Sequence, residues 1–402
     1  MTDHRPISVV TATPPGFNPG MLVSQIVARW FLSRHGLDAG ATFFRLLPIA
    51  DRLAHLAPGD RIARLERLND GIDYAFLQHA DQLIDTTPLY WGDLLHMRQY
   101  LSSLRGLIRL SRSTPEDLLL LRSSPEAVVG RTVSFGTTFL YHTASDLATD
   151  EYGPCFSRFM RHARLIMPRD MVSLAQLAAL IPHSPTLPGL DVTQLLCGAA
   201  NWRDIFCEGS AASPAEPDVV LCHFARGQHD VADLVHAAKL FATEFGMPVR
   251  WLPWGDELSF PHLNRYEERL GIDTAATGNP PRLSAILEVV AAATCVLTDT
   301  YHVAVIAWSL GTPALLLRGD HWPNDFNARV DKRYIFFLQH GLQDYFLATS
   351  RDREAVGNFI RNAVALVADG RALDWYTSTV RQRATECERQ LVVALRGEAG
   401  LG

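Results

Sequence analysis

A histidine set just behind a predicted strand end is the residue in this chain best placed to move a proton. His302 follows Cys295-Val296-Leu297-Thr298-Asp299-Thr300-Tyr301 and precedes Val303-Ala304-Val305-Ile306-Ala307-Trp308, with Gly311-Thr312-Pro313 and Ala314-Leu315-Leu316-Leu317 beyond. The β-favouring run, the polar cluster, the apolar helix pattern and the Gly-Thr-Pro stop predict strand, loop, helix and strand in that order. In an open parallel sheet, ligands gather at the carboxyl ends of the strands, and a helix starting there offers unpaired N–H groups to an anion. The spacing predicts His302 on the first turn of that helix. An imidazole, with an unperturbed pKa of about 6.5, serves there as acid or base near neutrality.

Such a loop needs a sheet to carry it, and strand and helix signals alternate along the whole chain. The first unit is a strand at 7–11, a turn-rich loop at 14–20 and a helix at 21–35. Strand patterns follow at 42–47 and 72–77, with a basic helical segment around 61–68 that reads as a solvated face. Helix patterns at 91–104 and 115–121 lead to a strand at 132–135, a helix at 156–163, a strand at 165–170 and a helix at 171–180. Composition shifts between 198 and 218, where Ala211-Ala212-Ser213-Pro214-Ala215-Glu216-Pro217 reads as a surface linker. A second set then begins: strand 219–224, helix 231–245, strand 249–253, helix 283–293, the unit around His302, helix 354–368 and a last helix at 372–395. The pattern predicts an α/β fold of two Rossmann-like, doubly wound domains facing a cleft, with the C-terminal helix crossing back. That is the architecture called GT-B. The predicted boundaries are 1–205, 206–370 and 371–402.

Composition narrows the partners. The chain has 402 residues, 48% hydrophobic and 20% charged, with a formal net charge of −6 and no long basic run, which argues against nucleic acid or an anionic membrane surface. Its six cysteines are scattered, with no C-x-x-C pair and no zinc spacing, as expected of buried thiols in a reducing compartment. No signal-peptide pattern opens the sequence, and no window reaches the roughly 18 to 20 apolar residues of a membrane span. The expectation is a cytoplasmic protein with small-molecule ligands.

Several segments together resemble the polysaccharide pyruvyl transferase family. The strongest match runs over 283–317, where the family has a helix, a strand, an Arg-x-His element and a helix ending in Gly-x-Pro; His302 and Gly311-Thr312-Pro313 stand at those places. Pro168-Arg169-Asp170-Met171-Val172-Ser173 is similar to the family's Arg-Asp-x-x-Ser, and Ser134-Phe135-Gly136 to its Ser-x-Gly. Arg226 and Lys332 fall where the family carries basic residues, and Asn18 and Gly20 echo its Asn-x-Gly. The resemblance implies a metal-independent transfer of a pyruvyl group from phosphoenolpyruvate to hydroxyls of a sugar-like acceptor. His302 and Asp170 would be catalytic; Arg226, Arg169, Thr300, Tyr301 and Lys332 would bind the donor; Asn18, Gly20 and Ser134 would bind the acceptor. One departure stands out: the family arginine two residues before the histidine is Thr300 here, a single neutral hydroxyl in place of a bidentate cation. Asp256 and Glu257 are further carboxylates for a proton transfer.

Two other readings fit the same residues. A nucleotide-sugar glycosyltransferase would lay a diphosphate on the helix start at Tyr301, with Asp325 or Glu257 on the sugar or ribose hydroxyls. A divergent member that only binds would explain Thr300. Each residue also has a structural reading: Asp299 or Asp170 as a helix cap, Arg169 in a salt bridge, Lys332 as solvated surface, and Trp251, Trp254, Phe260 and His262 as packing. The stretch His321-Trp322-Pro323-Asn324-Asp325-Phe326-Asn327 reads as a polar loop.

Overall fold

The computed structural model describes residues 5–11, 18–45, 74–77, 79–94, 115–140, 147–148, 152–206, 218–225, 229–255, 269–278, 281–319 and 331–398. By contacts the chain forms two compact units: Met1–Pro15, Val23–Leu195 and Arg383–Gly402 in the first, Gly16–Leu22 and Leu196–Gln382 in the second.

The first unit is built on a sheet of β1 (Ile7–Thr11), β2 (Thr42–Arg45), β3 (Tyr74–Phe76), β4 (Thr87–Trp91), β5 (Val133–Thr137) and β6 (Leu165–Pro168). The strands are all parallel and lie in the order β3-β2-β1-β4-β5-β6, the doubly wound order. Helices α1 (Pro19–Arg34), α2 (Tyr152–His162) and α3 (Met171–Leu180) belong to this half of the sequence, with single turns at Pro115–Leu119 and Glu126–Val129. The central strands β1 and β4 are buried along their whole length, as a parallel sheet covered on both faces requires. Phe31, Trp91 and Phe135 pack in series at centroid distances of 5.7 and 5.1 Å, and the Trp91 indole N–H donates to the Ser24 carbonyl at 2.8 Å. Full burial of each phenylalanine contributes roughly 1.5–3 kcal/mol.

Strand β4 corrects the sequence reading, which starts a helix at Trp91. Trp91 ends a central strand instead. Proline lacks the N–H a ladder needs, so Pro88 masks the strand signal. The structure accommodates it at the strand entry, before the ladder with β5 begins at Leu89. Residues 95–104, the basic segment 61–68 and the linker 211–217 lie outside the described residues.

The second unit carries a five-stranded parallel sheet in the order β11-β10-β9-β7-β8: β7 (Val220–His223), β8 (Val249–Trp251), β9 (Cys295–Thr298), β10 (Ala314–Leu317) and β11 (Phe346–Leu347). Its helices are α4 (Val231–Phe245), α5 (Leu283–Ala292), α6 (Tyr301–Leu310), α7 (Lys332–Gln339) and α8 (Arg353–Asp369). The apolar α6 is buried almost throughout and stops at Gly311, whose φ of 91° is the left-handed conformation glycine takes without strain. Thr312 then donates to the Val290 carbonyl at 2.8 Å and the chain enters β10. The long last helix α9 (Arg371–Arg396) divides between the units after Gln382.

Three helix starts in the second unit are capped by an aspartate, whereas α5, with Arg282 at the cap position, and α6 make no side-chain capping bond. Asp230, Asp331 and Asp352 each accept a first-turn backbone N–H, at 2.8, 2.9 and 2.9 Å, and so cap α4, α7 and α8. At α6 the cap position is Thr300. Among the described cysteines none is bridged; Cys222 and Cys295 are buried on β7 and β9, and burial pushes the Cys197 and Cys387 thiols up to about 12, as for inert packing groups.

Candidate functional site

The site grows from the end of β9. Thr298 accepts the Thr300 N–H on its hydroxyl at 3.0 Å, which turns the chain sharply into α6. The Thr300 hydroxyl points backward and donates to the Asp299 carboxylate at 2.9 Å. Asp299 does not cap α6, contrary to one sequence reading. Its side chain accepts the Ala225 N–H at 2.9 Å, from the end of β7, and meets His229 Nε2 at 3.1 Å. Burial works to raise the Asp299 carboxyl, but the hydrogen bond and charge of His229, with the Ala225 amide, outweigh it and hold the group below the usual carboxylate range. The Asp299 carbonyl takes a hydrogen bond from the Arg333 guanidinium at 3.0 Å, and Arg333 is fixed in turn by Asp331 at 2.7 Å.

On the first turn of α6, Tyr301 is buried and His302 half-buried. The two rings meet edge-on at 5.3 Å, and the Lys332 ammonium stands 5.3 Å from the Tyr301 centroid. The first turn of α1 arrives at the same place. A β-carbon built on Gly20 would stand 2.5 Å from both Cβ and Cγ of His302 and 2.7 Å from its Nδ1, so only glycine permits this approach. Asn18 starts α1 by accepting the Met21 and Leu22 N–H groups on its carbonyl, while its buried side-chain Oδ1 has no partner among the described residues. Two helix N-termini therefore converge, and both ends carry partial positive charge. Lys332 and Arg333 bring positive charge close to the start of α6, through the Tyr301 ring and the Asp299 carbonyl.

Solved structures share this architecture. A protein of Listeria monocytogenes assigned as a UDP-N-acetylglucosamine 2-epimerase aligns over 96% of this chain and 94% of its own, at a TM-score of 0.54 and 10% identity. Another UDP-N-acetylglucosamine 2-epimerase aligns over 100% and 98%, at 0.54 and 12% identity. An S. aureus MnaA–UDP co-structure aligns over 96% and 95%, at 0.50 and 10% identity. The chain has the GT-B fold. No family model matches it, and no curated relative matches its sequence.

Within the GT-B chain, the residues singled out by sequence separate by unit. His302, Tyr301, Thr300, Lys332, Gly20 and Asn18 fall in the second unit. Arg169, Asp170 and Ser134 fall in the first and are used structurally there. Arg169 is 2% exposed, with its guanidinium 3.2 Å from Asp93 and 3.6 Å from Asp191. Asp170 caps α3 through the Ser173 N–H at 2.7 Å and accepts the hydroxyls of Ser173 and Thr138, both at 2.9 Å. Ser134 is fully buried in β5. Trp251 and Trp254 are also fully buried, which removes them as stacking platforms. Arg226, Asp256, Glu257, Phe260, His262 and the 321–327 stretch lie outside the described residues. Among the described residues, no three His, Cys, Asp or Glu side chains gather as a metal site, and no helix is long and apolar enough to cross a membrane.

Sequence reasoning missed His229, Ser350 and Arg333 in the candidate site. His229 Nδ1 lies 2.9 Å from the Ser350 hydroxyl, so Ser350, His229 and Asp299 form one buried chain. No motif marks it, because its members are 70 and 121 residues apart.

Proposed function

We propose that this chain is an enzyme acting on a nucleotide sugar, with the donor diphosphate held where the first turns of α6 and α1 meet. The observation that carries the reading is the closure of Gly20 onto His302, which joins two helix starts at one strand end in a GT-B fold. Backbone N–H groups at helix starts bind phosphate without any special side chain, and Lys332, over the Tyr301 ring, adds a positive charge nearby. Thr300 suits this role: with its hydroxyl engaged by Asp299, it leaves the start of α6 uncapped. The MnaA co-structure contains UDP, which supports a uridine nucleotide as the first donor to test.

The reaction class we infer is glycosyl transfer to a hydroxyl. His302, half-buried on the first turn, takes the acceptor proton as general base, and the diphosphate leaves toward the two helix starts. Asn18 Oδ1, buried beside the same turn, accepts from a donor hydroxyl. Pyruvyl transfer, the reading that the family resemblance implies, is the second one: His302 and Lys332 both lie beside the Tyr301 ring, and its donor would use the same anion site. Isothermal titration of the full chain with UDP, UDP-N-acetylglucosamine and phosphoenolpyruvate separates the readings. Binding of the uridine nucleotides supports the proposal, whereas heat only from phosphoenolpyruvate overturns it.

A further inference from the structure

The start of α6 differs from the three aspartate-capped starts in where its aspartate stands. At α4, α7 and α8 the aspartate occupies the cap and accepts a first-turn N–H. At α6 it stands one residue earlier, at Asp299, and is engaged from behind by the Ala225 N–H, the Thr300 hydroxyl and His229. A carboxylate beside a helix start is attracted by the dipole, and once there it competes directly with any bound anion. We propose that His229 is a positioning residue for the anion site: its imidazole holds the Asp299 carboxylate back toward the end of β7, and so keeps a negative charge off the start of α6.

The geometry supports a supporting role over a direct one. His229 is 2% exposed, Asp299 0% and Ser350 3%, so none of the three offers surface to a substrate. His229 Nε2 can only donate to the carboxylate, which carries no proton to give, and that fixes the ring nitrogen facing Asp299. Ser350 at Nδ1 then stops the ring from turning away. Phe224 packs on the imidazole at 5.9 Å and closes a third side. Loss of His229 removes the restraint on Oδ2 and leaves the Ala225 amide and the Thr300 hydroxyl, both on Oδ1, to hold the carboxylate back from the N–H groups of α6.

The inference rests on the anion site proposed above, and the test tells the two apart. UDP and inorganic pyrophosphate are titrated into the full chain and into His229→Ala, Ser350→Ala and Asp299→Asn, singly and with Asp299→Asn added to each of the first two. The expected result is a loss of affinity for both probes of about tenfold in His229→Ala and a smaller loss in Ser350→Ala, with Asp299→Asn restoring affinity in each double variant. Neutralising the aspartate rescues binding only if its charge is what His229 restrains; a merely structural role would leave the double variant as weak as the single. Should His229→Ala fail to fold, the Ser350→Ala pair decides alone. Wild-type affinity in the single variants, or a loss that Asp299→Asn does not restore, overturns the inference. A wild-type chain that binds neither probe overturns the anion site, and this inference with it.

Discussion

The imidazole of His302 rests against the backbone of Gly20, with no room for a methyl group between them. Alanine is a better helix former than glycine by about 1 kcal/mol, so Gly20→Ala would stabilise an isolated helix. Here the new methyl must displace a histidine held on a second helix. Overpacking of this kind costs about 1–3 kcal/mol. Gly20→Ala is expected to lower stability modestly and to weaken UDP binding by about tenfold or more through the displaced turn, since a small misplacement at a positioned site is costly. Paired denaturation and titration curves check it; unchanged binding would mean that the contact serves packing alone.

His302→Gln separates chemistry from folding. The side chain is half-buried and packs on Gly20 and Tyr301, so the variant should lose about 0.5–3 kcal/mol and remain folded. Turnover should fall by about 10²–10⁴ while UDP affinity stays close to wild type, the pattern of a lost general base. Equal losses in binding and turnover would instead make His302 a donor contact.

Arg169 provides the counterexample. Its guanidinium answers two carboxylates, Asp93 and Asp191, in a setting where all three side chains are largely buried. Arg169→Met should destabilise by about 3–5 kcal/mol, because it strands two buried negative charges. Urea denaturation measures that directly. A fully stable variant with impaired donor binding would restore the anion-holding role that the family resemblance implies.

Acid should strip stability from the second unit. Burial pushes the Asp331 carboxyl up, but the hydrogen bond and charge of Arg333 prevail and hold it below the usual range, as His229 does for Asp299. A carboxylate with a depressed folded pKa contributes stability that is complete above its unfolded pKa and is lost as pH falls through the folded value. Denaturation midpoints should therefore drop below about pH 4, the unfolded carboxylate range. Asp331→Asn should be less stable at pH 7 and should lose less on acidification than wild type. Parallel curves for the two proteins would show that the Asp331 pairing contributes nothing.

The parts of this architecture that rest on local chemistry were readable in the sequence. Helices α3 and α4 match the predicted 171–180 and 231–245, because apolar periodicity ran between clear stops, and α6 ends at the expected Gly-Thr-Pro. Strand β4 was not readable, since Pro88 hides a central strand behind a residue that usually excludes one. The site divides in the same way. His302, Tyr301 and Thr300 are neighbours in sequence and were visible together. The meeting of Gly20 with His302, and of Asp299 with His229 and Ser350, are products of tertiary closure over long loops, and a lone aspartate before a helix reads as a cap until its distant partners are known.

Helix α9 makes the two halves of this chain inseparable by a single cut. Its early turns bury Tyr376 and Val380 with one unit, and its later turns bury Ala384 and Leu391 with the other. The first turn of α1 likewise belongs to the unit encoded mostly downstream. Splitting the gene at the segment joining the strand sets would leave the upstream fragment without the closing turns of its own core, and the downstream fragment without the glycine that faces its histidine. Recombinant halves of this protein should be unproductive until they are expressed together.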